Sequence, residues 1–165
     1  MVPRAIFLAL ALAFADPAAA GERIAFFGVT YLDTSLQGAE QGVDPAERAR
    51  IGMLEEMVRA RFLKEGYELV DLAPVQTELD RTTNAAKCYG CDTRMAAKLG
   101  ADYALVGEVQ KVSNLILAMN LQLRDAATGT MVKGRVVDIR SNTDDSWKRG
   151  MRYILDNTFF REVKE

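Results

Sequence analysis

Cys88 and Cys91 are the only cysteines of the 165-residue chain, and Tyr89 and Gly90 separate them. A pair at this spacing can close a small disulfide, exchange electrons as a dithiol, or give two soft ligands to a metal. Covalent haem attachment needs histidine directly after the second cysteine, but Asp92 stands there and the chain contains no histidine. The same absence removes Ser-His-Asp and Cys-His nucleophile systems and every imidazole-ligated metal site. A thioredoxin-like site would start from a buried strand and use a later proline to shape its opposite wall. Here the lead-in, residues 82–87, is polar, and no proline follows Pro74. A helix start near Cys91 and the cation Lys87 would favour thiolate, whereas Asp92 opposes it. Three readings therefore stay open, in this order: a structural disulfide pinning an irregular segment, thiol-disulfide exchange, and soft-metal capture by the reduced pair. Two thiolates alone make a poor closed zinc site.

The other candidates carry less. Asp138, Asp144 and Asp145 around Asn142 offer the oxygen ligands a hard cation such as calcium prefers, but their spacing matches no calcium loop. Capping of the helix that comes next explains residues 142–145 more simply. Gly100 and Gly107 lack the spacing of a dinucleotide loop, no Walker lysine motif occurs, and Ser113 and Ser146 have no base. No catalytic, cofactor-binding or metal-binding residue is expected, and no cofactor. Tyr153 and Phe160 lie seven apart on the last helix, roughly opposite a stripe headed by Trp147. Either strands and loops cover this second apolar face within the monomer, or it marks a surface for self-association or a protein partner.

The framework around these residues can be read from spacing. Residues 23–29 read as a strand whose apolar run Ile24-Ala25-Phe26-Phe27 suits cover on both faces. A polar loop to Val43 precedes a helix with Asp44 at the N-cap, Pro45 in the first turn, Glu47 at the capping-box position and the stripe Ile51, Leu54, Val58 and Phe62. Residues 67–72 read as a second strand, Pro74 opens a short helix through about Leu79, and Asp92 caps another that ends at Leu99, with Gly100 as its terminator. Residues 103–112, 115–125 and 131–140 then form a three-strand meander whose middle strand alternates cleanly, so that one sheet face meets water. A helix from about Ser146 towards Glu162 closes the chain on Trp147, Met151, Ile154, Leu155 and Phe159. The expectation is an α/β (α+β) fold: one domain with a mixed or largely antiparallel sheet and helices packed on one face.

Residues 1–20 have the parts of a cleavable signal peptide: Arg4, an apolar run over residues 5–15, and Ala18-Ala19-Ala20 after Asp16-Pro17. The apolar run is well short of the ~20 residues that span a bilayer. Residues 21–165 are then a single exported, periplasmic domain without a transmembrane segment, and the cysteine pair meets an oxidising compartment. Twenty-one basic against 23 acidic residues give a formal charge of −2, which argues against a nucleic-acid partner.

Residues 99–109, from Leu99-Gly100-Ala101-Asp102 to Glu108-Val109, followed by 123–129 ending Ala127-Thr128-Gly129, resemble TolB amino-terminal domains and curli-secretion lipoproteins. That resemblance implies an envelope domain of similar element order. Cys88-Tyr89-Gly90-Cys91-Asp92, with residues 111–117 and 142–147, also resembles an uncharacterised family of small exported bacterial proteins. Some members of that family are encoded beside quinoprotein alcohol dehydrogenases, which implies a setting in periplasmic alcohol oxidation. The expected function is a non-enzymatic periplasmic accessory or binding protein. Its alternatives are a thiol-disulfide redox protein using Cys88 and Cys91, and a cation or small-ligand carrier.

Overall fold

Five strands form one mixed sheet in the order β2-β1-β3-β4-β5. β1 (Arg23–Asp33) runs parallel to β2 (Glu68–Leu69) on one side and to β3 (Tyr103–Ser113) on the other. β3, β4 (Ile116–Asp125) and β5 (Met131–Arg140) make the expected antiparallel meander. The computed structural model describes residues 21–161, so the expected signal peptide lies outside the described residues.

The apolar run of β1 has a side chain for each face. Ile24 and Phe26 enter a large cluster with Leu54, Val58 and Phe62 of α2 (Pro45–Lys64) and Trp147, Met151 and Ile154 of α5 (Asp144–Ile154). Ala25 and Phe27 enter a second cluster with Ala85, Ala86, Met95, Ala96 and Ala104, built on α4 (Cys91–Lys98) and the 3-10 turns Ala73–Val75 and Ala85–Lys87. The two long helices therefore share one face as expected. The short ones cover the other face of β1 and β3, because alanines there let backbone approach the sheet closely. Along β4, Leu117, Met119, Leu121 and Leu123 are buried while Ala118, Asn120, Gln122 and Arg124 alternate with them towards the more open face.

Several local expectations change. The polar loop before α2 contains a short helix, α1 (Leu36–Gln41), capped by Ser35 Oγ, which accepts from Gly38 N at 3.1 Å. Asp44 caps α2 by accepting from Ala46 N at 2.8 Å, but Glu47 closes no capping box; it turns inward to a buried cation. The second strand shrinks to Glu68–Leu69. At α4 the cap position belongs to Gly90, held at φ 87° where an L side chain would be strained, and Asp92 lies inside the helix, fully buried. Thr143 and Ser146 cap α5 reciprocally, which releases Asn142 for other contacts.

The last helix changes register. After Ile154 the turn Leu155–Phe159 widens, and Phe160 N–H donates to the carbonyl of Leu155, five residues back, at 2.8 Å. This extra residue in the turn rotates the end of the helix, so Phe159 and Phe160 both pack on Phe62, at ring distances of 6.0 and 4.9 Å. Gly150 brings α5 against β5: a Cβ there would lie 2.6 Å from Ile139 Cγ2.

Candidate functional site

Three places gather the chemistry-bearing residues, and the first is the cysteine corner. Cys88 and Cys91 are joined in a disulfide with Cα atoms 5.5 Å apart. Cys91 opens α4 and is buried in the alanine-rich cluster, while Cys88 is half-buried at its rim. Between them Tyr89 takes a positive φ of 54° and projects into solvent, 99% exposed. Lys87 is paired with Glu108, its Nζ lying 2.8 Å from the carboxylate. Asp92 is paired with Arg124, whose Nη1 donates at 3.1 Å. The link thus fastens a turn to the sheet through α4. Replacing both cysteines by serine should cost about 1.5–2 kcal/mol, the chain-entropy value for so short a loop. A denaturant midpoint unchanged by that double substitution would show that the link does not hold the turn.

The second place went unpredicted. Lys111 on β3 is only 2% exposed, with Glu47 Oε1 at 2.7 Å and Asp33 Oδ2 at 3.4 Å. Asn142 Nδ2 also donates to Glu47 Oε1, at 2.6 Å. Asn142 Oδ1 in turn accepts from Trp147 Nε1 at 2.9 Å and from Arg50 Nη1 at 3.1 Å, and Arg50 Nε reaches Asp144 at 2.8 Å. Burial alone would push Glu47 up, but the Lys111 ammonium, with Tyr31 and Asn142, outweighs it and holds the carboxyl below its usual value. Burial would likewise raise Asp33, yet hydrogen bonds from Ser35 and the charge of Lys111 lower it. Lys111 loses to burial and gains more from Glu47 and Asp33, so its pKa rises. Tyr31, raised first by burial and then by Glu47, keeps its proton. The network joins the 111–117 and 142–147 segments that the sequence singled out separately. Lys111, Glu47 and Asp33 at its centre are paired almost out of reach of solvent, with Arg50 and Asp144 at a more open rim, which is the arrangement of a structural clamp.

The third place is a groove of about 500 Å³ between the outer edge of β5 and α5, lined among others by Arg135, Val136, Arg140, Arg149, Gly150 and Tyr153. Val136 is 58% exposed, and the Arg135 guanidinium stacks over the Tyr153 ring at 5.9 Å. Of the pair named from the sequence, Tyr153 lines this groove. Phe160 is carried away by the widened turn into the aromatic cluster with Phe62 and Tyr67, beneath Arg61. Asp138 faces the groove region while Asp144 is taken by Arg50, so the acids proposed for a hard cation do not converge. Among the described residues no group of three or more cysteine or carboxylate side chains is placed to hold a metal.

A family model described as a protein of unknown function, DUF3280 (DUF2380), matches residues 22–159. The chain belongs to the DUF3280 family. The match spans every strand and helix of the described residues, so the cysteine corner, the Lys111 network and the β5 groove all lie inside the DUF3280 region. No curated protein matches this DUF3280 chain. Among solved structures, the LpoB C-terminal domain from Salmonella enterica is 20% identical with a TM-score of 0.52, covering 77% of this chain and 88% of that one. The lipoprotein GNA1162 from Neisseria meningitidis is 17% identical with a TM-score of 0.48, over 74% of this chain and 82% of that one. PelC from Paraburkholderia phytofirmans, solved as a dodecamer, is 14% identical with a TM-score of 0.47, over 86% and 92%. The LpoB likeness shows the fold that this DUF3280 chain shares. No helix among the described residues is long and apolar enough to cross a membrane.

Proposed function

We propose that this chain is an exported, non-enzymatic accessory or binding protein of the bacterial envelope that works by holding a protein partner. The β5–α5 groove carries this reading. There, arginines that make no ion pair among the described residues stand beside exposed Val136 and Tyr153, whereas Lys111, Glu47 and Asp33 are paired with one another. Such a mixture suits recognition, where apolar anchors and arginines dominate. The likeness of the fold to the LpoB domain, and of residues 99–109 and 123–129 to TolB-type and curli-secretion domains, supports an envelope setting. The quinoprotein association rests on the sequence resemblance alone and would place the partner in periplasmic alcohol oxidation. A photo-crosslinking side chain at Val136, introduced in cells, should yield a discrete adduct with another protein, and one at Thr77 on the opposite layer should not. Equal adduct formation from both positions would overturn a surface of this kind.

Thiol-disulfide exchange remains the second reading, favoured by the place of Cys91 at the first position of α4, where the helix dipole stabilises thiolate. A reduction potential below about −300 mV, with no exchange with a dithiol substrate, removes it.

A further inference from the structure

Resting on the partner-binding reading, we infer that the outer edge of β5 accepts an extended, acidic segment of the partner as a sixth strand. β5 is ten residues long and, among the described residues, pairs only with β4, so no described strand lies along its other edge. Proteins usually blunt such an edge with a short strand, a proline, a bulge, a cover or charge. The opposite edge of this sheet uses the first device, since β2 has two residues. β5 contains no proline, and from Lys133 to Arg140 it pairs with β4 in unbroken register. Its guard is charge, and charge of mainly one sign. Arg135, Arg140 and Arg149 line the groove against the single acid Asp138, and none of the three arginines makes an ion pair among the described residues.

That guard discriminates between occupants. A second copy paired antiparallel with its Lys133 opposite Arg135 would also set its own Arg135 opposite Lys133, both on the α5 side, and like charges facing one another across strands are destabilising. An acidic strand meets complementary charge instead, in a chain whose overall formal charge is negative. The pleat then fixes the pattern of the guest. Arg135 pairs with buried Leu121 and stacks on Tyr153, so it faces α5; Val136 pairs with Asn120 and faces away. Successive residues of an added strand alternate between these sides. Carboxylates at every second position would meet Arg135 and Arg149, and the intervening side chains would lie along Val136, which shares its side with Asp138 and Arg140. Main-chain hydrogen bonds to β5 supply the common part of the affinity and this alternation supplies the selectivity.

The probe is a fluorescent peptide alternating Val and Glu over eight residues, titrated by anisotropy against the purified full chain with its disulfide intact. Saturable binding is expected, weakened by about tenfold or more when Arg135→Glu and Arg149→Glu are combined. Both positions are exposed, and unchanged Trp147 fluorescence certifies the fold of that variant. Methylating alternate backbone nitrogens of the peptide leaves its charge intact and should abolish binding. Equal binding of the methylated peptide, or no binding of either, overturns strand addition. Crosslinking of two differently tagged copies of this chain through Val136 would instead assign the edge to self-association and overturn the acidic partner. A discrete partner adduct from Val136 in cells alongside a failed peptide titration would sink strand addition while leaving the partner-binding reading standing.

Discussion

Replacing Lys111 with methionine should destabilise the protein by about 3–5 kcal/mol, because it leaves Glu47 and Asp33 buried without their cation. The substitution keeps most of the volume, so the loss measures uncompensated charge rather than a cavity. Its pH dependence gives a sharper signature. In the native protein Glu47 and Asp33 titrate below their ordinary values of 4.5 and 3.8. Their contribution is present above those values and is lost as pH falls through the depressed ones. Lys111, raised above 10.5, contributes fully below that value and loses its part as pH rises through its own. Stability should therefore hold a plateau between about pH 5 and 10 and decline in acid. In Lys111→Met only the hydrogen bonds from Tyr31 and Asn142 still oppose burial at Glu47, so its pKa should rise above the ordinary value, the native state should bind the extra proton, and stability should fall as pH rises from about 4 to 7. Urea unfolding followed by Trp147 fluorescence at several pH values reads both the loss and the reversal of slope. If the variant kept the wild-type slope, the carboxylates would not be clamped by Lys111. Combining Lys111→Met with Glu47→Gln should recover part of the loss, since removing both partners leaves less buried charge.

Trp147→Ala should cost a similar amount, about 3–5 kcal/mol, by a different mechanism. The indole is fully buried, packs 6.1 Å from the Tyr31 ring, and donates to Asn142. Alanine would leave a cavity where α5 meets the sheet and would strip one donor from the asparagine that steadies Glu47. Because Trp147 is the only tryptophan, far-UV circular dichroism must follow the unfolding. Trp147→Phe, which fills most of the space and lacks the N–H, should lose distinctly less. A cost below about 1 kcal/mol for the alanine variant would mean that the ring does not hold α5 in place.

The contrast between these two residues shows what a linear reading can reach. Trp147 was legible, because burial of an amphipathic stripe is a local, periodic signal, and the same holds for the alternation of β4 and the α2 stripe. The two-sided cover of β1 was readable from Ile24 to Phe27. Lys111 was not, since it occupies an inward position of a strand and only a partner far away in sequence makes that tolerable. Glu47 was misread for the same reason: its spacing from Asp44 fits a capping box, and nothing local shows that a buried ammonium competes for it. Asp92 suited a cap equally well, but Gly90 could adopt the left-handed conformation and start α4 two residues earlier. The widened turn at Leu155–Phe159 is invisible to a periodicity argument that assumes about 3.6 residues per turn throughout. Tyr153 and Phe160 are same-face neighbours only under that assumption. The β5 groove was half legible: the meander and Tyr153 were read, but the sheet order that leaves β5 outermost depends on where β1 inserts.

That insertion has a consequence for assembly of the chain. β1 is synthesised first, yet both its neighbours come later, and β3 arrives only after α2, α3 (Gln76–Asp80) and α4 have been made. Until then β1 has only the two-residue β2 to pair with, at Arg23 and Ile24, and Ala25 to Phe27 have no strand beside them, whereas β3, β4, β5 and α5 are contiguous and can collapse among themselves. Loop closure must precede the reward of a parallel pairing between such distant segments. The amino-terminal strand is thus a late-docking piece, and a nascent chain interrupted before β3 would display its stickiest tetrapeptide to whatever chaperone accompanies it.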